Sequence, residues 1–262
     1  MTRCIILAAG RGSRLHPYTA ECPKCLTEIG GMSLIARQLD TLRACGVDDI
    51  VIATGYRAEM LRLDGTRQVR NADWETTNMV ETLFAAQTEF SEDIIVAYAD
   101  IVYEPKVLQA LLSSSADISV VIDTGWRDYW NFRFEDPLSD AESLRLDDAG
   151  LIVDIGNKVE HIDDIEAQYI GLMRFRGDGI EALHQARRSM FDNDRPWKRK
   201  RPVEKAYMTD LLTEMVLNGE HIVPVPIRNG WLEIDTVEDY ENAAQGFRDG
   251  TISRFFAPQV EK

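Results

Sequence analysis

Long apolar runs are missing from this chain of 262 residues. Nothing in it approaches the roughly 20 apolar residues that a membrane-spanning helix needs. The apolar stretch Cys4–Gly10 is too short for a secretory signal's hydrophobic region and cleavage site. The expectation is a cytoplasmic protein with no membrane partner. Basic charge is scarce as well, 29 Lys and Arg against 44 Asp and Glu, for a formal charge of −15. That balance opposes nucleic acid at long range; it does not oppose small anions, which a few local donors and a divalent cation hold. Only four histidines occur, none in a triad-like setting, so nucleophilic catalysis of that kind has no support. Of the four cysteines, Cys22 and Cys25 form a C-P-K-C quartet without the second pair that zinc would need. Cys4 and Cys45 read as small core residues on a strand and a helix.

Repeats and long linkers are absent too, and 45% hydrophobic with 28% charged residues is ordinary for a globular chain. The length suits one large α/β domain with its own core. The first half alternates strands and helices. Strands are predicted at Arg3–Leu7, Asp49–Thr54, Arg67–Arg70, Ile94–Ala99 and Ile118–Ile122. Helices are predicted at Ser33–Cys45, from Arg57, at Thr77–Phe90 and at Pro105–Leu112, with Ser33 as an N-cap and Gly46 as a stop. This pattern predicts a three-layer αβα, Rossmann-like, mostly parallel sheet.

The pattern changes after Asp123. Gly125–Gly171 is rich in aromatic, acidic and turn residues and reads as a small inserted β subdomain, with strands at Ser143–Leu146, Leu151–Ile155 and Gln168–Phe175. Helices Gly179–Met190 and Glu204–Leu217, strands His221–Pro224 and Trp231–Ile234, and a helix from Val237 complete the unit. The basic run Lys198–Arg201 reads either as a solvated loop or as a phosphate-facing lid.

A glycine-rich loop, Leu7-Ala8-Ala9-Gly10-Arg11-Gly12-Ser13-Arg14, follows the first strand directly. Small residues let the backbone approach a ligand, and their N–H groups can line an anion-binding concavity. A G-x-G-x-x-G turn is not completed, because Leu15 stands where its third glycine belongs. A P-loop Gly-Lys-Ser/Thr is lacking. The continuation to Pro17 and Pro23-Lys24 gives G-x-G-S-R-L-x-P-x-T-x-x-x-P-K over Gly10–Lys24, in which Arg14 and Lys24 supply cationic donors for phosphate oxygens.

With these residues the chain resembles the nucleotidyltransferase superfamily that includes sugar-1-phosphate nucleotidyltransferases and phosphocholine cytidylyltransferases. The resemblance implies that Ala8, Ala9 and Gly10 contact the nucleoside, and that Gly12, Arg14 and Lys24 handle the triphosphate. Leu7 and Ser13 complete the loop, and Arg14 and Lys24 are the catalytic candidates.

Asp100 and Asp235 each end an apolar strand, where ligands gather in open α/β sheets. Magnesium favours one or two carboxylates plus phosphate oxygens. A helix N-cap role for Asp235 is the competing reading. The resemblance implies a metal role for both, Asp235 lying in an E-I-D-x-x-x-D-Y segment (Glu233–Tyr240). Glu233 shares the face of Asp235 and is a weaker ligand candidate. An acceptor phosphate is already nucleophilic at neutral pH, so the chemistry needs positioning and charge stabilisation rather than a general base.

Sugar-specific relatives carry an E-K-P segment that this chain lacks. Ile155–Lys158, Ile165–Leu172, Thr77–Leu83, Tyr98–Tyr103 and Tyr207–Thr209 look closest to cytidylyltransferases of the phosphocholine and phosphoglutamine type. That resemblance implies Asn78 and Tyr98 for the nucleoside and Lys158 for the acceptor phosphate, with Glu166 and Tyr169 beside the acceptor. Residues 1–124 form the nucleotide half, and 125–262 the acceptor- and metal-binding half. Trp126, Tyr129, Trp130 and Phe132, with carboxylates interleaved, suit an ammonium-bearing acceptor or pack a core of their own. Arg133 with Lys158 would suit a carboxylate and a phosphate.

The expected function is therefore magnesium-dependent transfer of CMP from CTP to a small phosphorylated acceptor, with release of pyrophosphate. A sugar-1-phosphate nucleotidyltransferase and a non-catalytic nucleotide sensor are the alternatives. Base preference, acceptor and oligomeric state, a homo-oligomer included, stay open.

Overall fold

Strand β1 (Arg3–Ala8) alternates its side chains between two apolar layers, Cys4, Ile6 and Ala8 on one face and Ile5 and Leu7 on the other. A strand buried on both faces reads as the continuous apolar run seen here. In the computed structural model, residues 1–192, 199 and 201–257 are described. After β1 come β2 (Glu28–Ile29), β3 (Met32–Ser33), α1 (Leu34–Ala44), β4 (Asp49–Thr54), β5 (Thr66–Arg70) and α2 (Met79–Ala85). Then follow β6 (Asp93–Tyr98), β7 (Ile101–Tyr103), α3 (Pro105–Ser113), β8 (Ile118–Asp123) and α4 (Trp126–Arg133). The remainder is β9 (Leu144–Leu146), β10 (Ile152–Ile155), β11 (Gln168–Arg176), α5 (Asp178–Met190), α6 (Met208–Leu217), β12 (Val223–Ile227), β13 (Trp231–Glu233) and α7 (Val237–Asp249).

The main sheet has seven strands in the order β12-β8-β11-β6-β1-β4-β5. Only β11 runs antiparallel to its neighbours β6 and β8, so the expected three-layer, mostly parallel architecture is the one observed. Helices α1, α3, α4 and α7 pack one face, and α2, α5 and α6 the other. Each fully buried Ile, Leu or Val contributes about 1.5–3 kcal/mol relative to exposure. Ser33 caps α1, its hydroxyl accepting from the Ala36 amide at 3.3 Å.

Several elements differ from expectation: the helix from Arg57 is a short 3-10 turn, Ala58–Leu61, and α6 starts at Met208 rather than Glu204. Trp126–Arg133 is a helix rather than part of a β insert, because Trp126, Tyr129, Trp130 and Arg133 recur at helical spacing and all face inward. The β portion of the insert is the antiparallel pair β9–β10. Helix α2 starts at Met79 rather than Thr77, since the Thr76 and Thr77 hydroxyls donate to the Asp73 carbonyl in a turn. Strand β12 begins at Val223 and runs to Ile227; as an edge strand it tolerates Pro224 and Pro226, which have no N–H to offer a further neighbour.

Small ribbons place the functional turns. β7 pairs antiparallel with β13, setting Ile101 opposite Glu233. The Ile234 amide donates to the Asp100 carbonyl at 3.0 Å. Residues distant in sequence are thereby joined beside the carboxyl ends of β1 and β6. No helix among the described residues is long and apolar enough to cross a membrane.

Candidate active site

The loop after β1 is shaped by its own backbone. Gly12 adopts φ +67°, and a Cβ there would stand 2.7 Å from the Cβ of Lys24. Glycine is thus needed both for the left-handed conformation and for the close passage of the lysine stem. The Thr19 hydroxyl donates to the Gly12 carbonyl at 2.8 Å, and the Tyr56 amide to the Ala9 carbonyl at 2.9 Å. These bonds hold the loop open over a cavity of about 240 Å³.

All ten residues expected to bind the nucleotide line that cavity: Leu7, Ala8, Ala9, Gly10, Gly12, Ser13, Arg14, Lys24, Asn78 and Tyr98. Trp74, Thr77, Met79 and Thr82 line it as well. Thr77, Met79 and Thr82 lie in the Thr77–Leu83 segment that carries the resemblance but had no role of their own, and Trp74 was missed, although an aromatic within a polar turn (Ala72–Thr77) was a signal available in the sequence. Asn78 also accepts the Met79 amide at 2.9 Å, so the same side chain starts α2.

A second cavity of about 250 Å³ adjoins the first and shares Arg14, Met79, Tyr98, Asp100 and Asp235 with it. Its other walls include Trp130, Asp140, Glu142, Gln168, Tyr169, Tyr207, Thr209 and Glu233. Tyr98 can stand between the cavities because Gly171, at φ +81°, has no Cβ where one would meet the tyrosine ring at 2.6 Å. Tyr98 and Tyr169 meet edge to face, with ring centroids 5.7 Å apart.

At the junction, the Lys24 ammonium bridges the metal candidates, 2.6 Å from Asp100 Oδ2 and in contact with Asp235 Oδ1. Arg14 pairs with the other oxygen of Asp235. Burial works to lower the Lys24 pKa, but the two carboxylates more than reverse it, so the ammonium is held above the ordinary lysine value. Asp235 is not the N-cap of α7. Thr236 takes that role in a capping box with Asp239, which leaves the Asp235 carboxylate free for the cleft. The turn bearing Asp100 is pinned by buried Gln38, whose amide donates to the carbonyls of Tyr98 at 2.8 Å and Ile101 at 2.6 Å.

The second cavity is strongly acidic. Burial, aided by Asp140 and Asp210, pushes the Glu142 carboxyl up to about 7. Burial, with Asp100, Asp235 and Asp140 nearby, raises the Glu233 carboxyl, and the Arg133 guanidinium opposes that rise. Burial raises Asp140 as well. Among the described residues that line the cavity Arg14 is the one lysine or arginine.

The acceptor candidates separate into three groups. Trp130 and Tyr169 line the second cavity. Trp126 and Arg133, 1% and 2% exposed, do not line it; Trp126 packs in the core and Arg133 is committed to Asp239 and Glu233. Lys158 and Glu166 line a different surface depression with His161 and Asp154. The β9–β10 ribbon and the segment after it place them outside the wall of the second cavity, although the Lys158 charge still acts to lower the Glu142 pKa. Of the basic run, Lys198 and Lys200 lie outside the described residues, and Arg199 and Arg201 both pair with buried Asp210. Cys4 and Cys25 are buried free thiols, with burial pushing Cys25 up to about 12.

Comparison with known proteins gives a consistent picture. A family profile described as a MobA-like NTP transferase domain matches residues 4–164. The chain is 35% identical over 248 residues to CTP:phosphoglutamine cytidylyltransferase of Campylobacter jejuni, covering 90% of this chain and 97% of that one. Its fold is similar to CTP:phosphocholine cytidylyltransferase of Streptococcus pneumoniae, at a TM-score of 0.69 and 20% identity, covering 93% of this chain and 98% of the other. It is similar also to the inositol-1-phosphate CTP transferase of T. maritima, at 0.70 and 20%, covering 95% and 96%.

Proposed function

The chain belongs to the MobA-like NTP transferase family and is a nucleotidyltransferase; on that premise we propose that it transfers CMP from CTP to a small, nitrogen-bearing phosphorylated acceptor and releases pyrophosphate. The observation that carries this reading is the meeting of two cavities at one carboxylate pair. Asp100, Asp235 and Arg14 belong to both walls, so groups bound on either side would present their phosphates to the same charges.

In the proposed step, an oxygen of the acceptor phosphate attacks the α-phosphorus of CTP. The new P–O bond forms as the α–β bridging bond breaks, and the electron pair leaves with pyrophosphate. The loop amides over Ala8–Ser13 and the Arg14 and Lys24 cations bind the triphosphate and stabilise the charge that develops there. No side chain has to remove a proton, because the acceptor phosphate is ionised at neutral pH.

A divalent cation fits the carboxylates present. Asp100 and Asp235 already converge on one cation, and Asp100 Oδ1 is a buried acceptor with no hydrogen-bond partner among the described residues. These two would hold magnesium, with Glu233 a weaker candidate because its carboxylate is turned to Arg133. Bound there, magnesium supplies charge neutralisation between two polyanions. Tyr98, Thr77 and Asn78 would surround the nucleoside.

The acidic second cavity, lined also by Trp130 and Tyr169, suits an ammonium or amino-acid headgroup. The 35% identical relative, named for phosphoglutamine, supports the same class. The test is pyrophosphate release in magnesium, with CTP, UTP, GTP, ATP and dTTP set against phosphoglutamine, phosphocholine, aminoethylphosphonate and hexose-1-phosphates. Release with CTP and a nitrogen-bearing acceptor is expected. Release with a sugar phosphate alone would overturn the acceptor reading, and nucleotide binding without turnover would overturn the catalytic one.

A further inference from the structure

Arg133 ends α4 with a guanidinium that is 2% exposed and pairs closely with Asp239 and Glu233, with an oxygen of Asp140 farther off at 3.9 Å. Nε and Nη2 donate to Asp239 Oδ1 and Oδ2 at 2.9 and 3.2 Å, and Nη1 donates to Glu233 Oε2 at 2.6 Å. Asp239 Oδ2 in turn accepts the backbone amides of Asp235 at 3.1 Å and Thr236 at 2.9 Å. One helical turn earlier on the same face of α4, the Tyr129 hydroxyl accepts the Glu233 amide at 2.9 Å. The Ile234 amide goes to the Asp100 carbonyl. Every backbone N–H from Glu233 to Thr236 is thus spoken for, three of the four through residues that α4 holds or supplies.

We propose that Arg133 and Asp239 are positioning residues for nucleotidyl transfer: through a rigid, buried fork they fix the backbone of Asp235 and the side chain of Glu233 at the junction of the two cavities. This rests on the reading of Asp100 and Asp235 as the cation-binding pair. A buried ion pair is weak as a source of stability, since apolar replacements are often neutral or better. The capping box of α7 needs only Thr236 and Asp239, so capping does not account for the arginine. What the arginine adds is geometry. Its planar fork sets both oxygens of Asp239 in one plane and ties Glu233 to the same frame. A cation held by two carboxylates is sensitive to such outer partners.

A second buried pair supplies the control. Arg174 forks onto Asp93 at 2.8 Å on both oxygens, and neither residue lines the two cavities. The experiment titrates Mn²⁺, followed by its EPR signal, into full-length protein with CTP and no acceptor, for wild type, R133M, R133K, D239N and R174M. Thermal melts and hydrogen exchange at the Asp235 and Thr236 amides accompany it. The expected result is a Mn²⁺ dissociation constant raised about tenfold or more in R133M and D239N, with faster exchange at those two amides. R133K should fall between wild type and R133M. R174M should lower the melting temperature yet keep wild-type metal affinity.

Should R133M or D239N not fold, R133K decides alone. Wild-type Mn²⁺ affinity in the Arg133 variants, or an equal loss in R174M, overturns the proposal while leaving the site reading intact. Failure of wild type to bind Mn²⁺ with CTP removes that reading, and the positioning role with it.

Discussion

The two cavities that meet at Asp100 and Asp235 are built in opposite ways. The first cavity, which we assign to the nucleotide, takes most of its wall from two short stretches, Leu7–Arg14 and Trp74–Thr82, with backbone and small residues at its surface. The second, which we assign to the acceptor, draws side chains from many separate places, among them α4, Asp140, Glu142, the start of β11, Tyr207 and Glu233. A wall of contiguous backbone suits a part common to every reaction of a family, the nucleoside triphosphate. Scattered side chains suit the part that differs, because each can change without moving the others.

The comparison breaks first at the shared wall. D100N or D235N should lower kcat by roughly a hundred- to a thousandfold for any substrate pair, measured as pyrophosphate release at saturating CTP and magnesium. Full activity in either variant would remove the carboxylate pair from the chemistry. Replacing Lys24 tests the charge balance of the same wall. Lys24 is the cation that Asp100 and Asp235 share, so K24M should lose roughly 3–5 kcal/mol of stability. It should regain part of that on adding magnesium, a response that wild type shows more weakly, and melting curves with and without the ion report it.

The cavities should then separate in kinetics. W130A or E142Q is expected to raise the acceptor KM about tenfold with the CTP KM unchanged. W74A should do the reverse. A variant that moves both constants equally would contradict the division. A finer distinction comes from pH. Glu142 is raised from 4.5 to about 7, chiefly by burial, so the folded protein holds this proton more tightly than the unfolded chain. Stability therefore falls as pH climbs from 4.5 through about 7. Ionised Glu142 favours an ammonium group, so the acceptor KM should fall as pH rises through about 7, and E142Q should flatten both trends. The smallest effect is expected from K158A, since Lys158 is exposed and lines a separate depression. A loss there comparable to that of W130A would return it to the acceptor.

Legibility in the sequence follows the same line. The loop Leu7–Arg14 was legible as a cavity wall because the residues adjacent in the chain are the ones that line it, while its assignment to a nucleotide came from the resemblance. Asp100 and Asp235 could be read from their places at strand ends, although only the β7–β13 ribbon explains how they meet. Arg133 could not. An arginine among aromatics suggests a ligand contact, whereas its partners Glu233 and Asp239 stand about a hundred residues away and bury it. Asp140 and Glu142 escaped notice because acids in a loop look solvated, and only the fold shows them facing the cavity with Glu233. The helix α4 was hidden for a related reason, its turn-forming neighbours masking the spacing of Trp126, Tyr129, Trp130 and Arg133.

The most direct test of transfer at the junction uses acceptor carrying ¹⁸O on its phosphate, incubated with CTP and magnesium and followed by ³¹P NMR. The account predicts that the label enters the new bridge to the α-phosphorus of CMP, with unlabelled pyrophosphate released in equal amount and loss of both signals in D235N. Free CMP without label, or pyrophosphate formed at the same rate with no acceptor present, would contradict it.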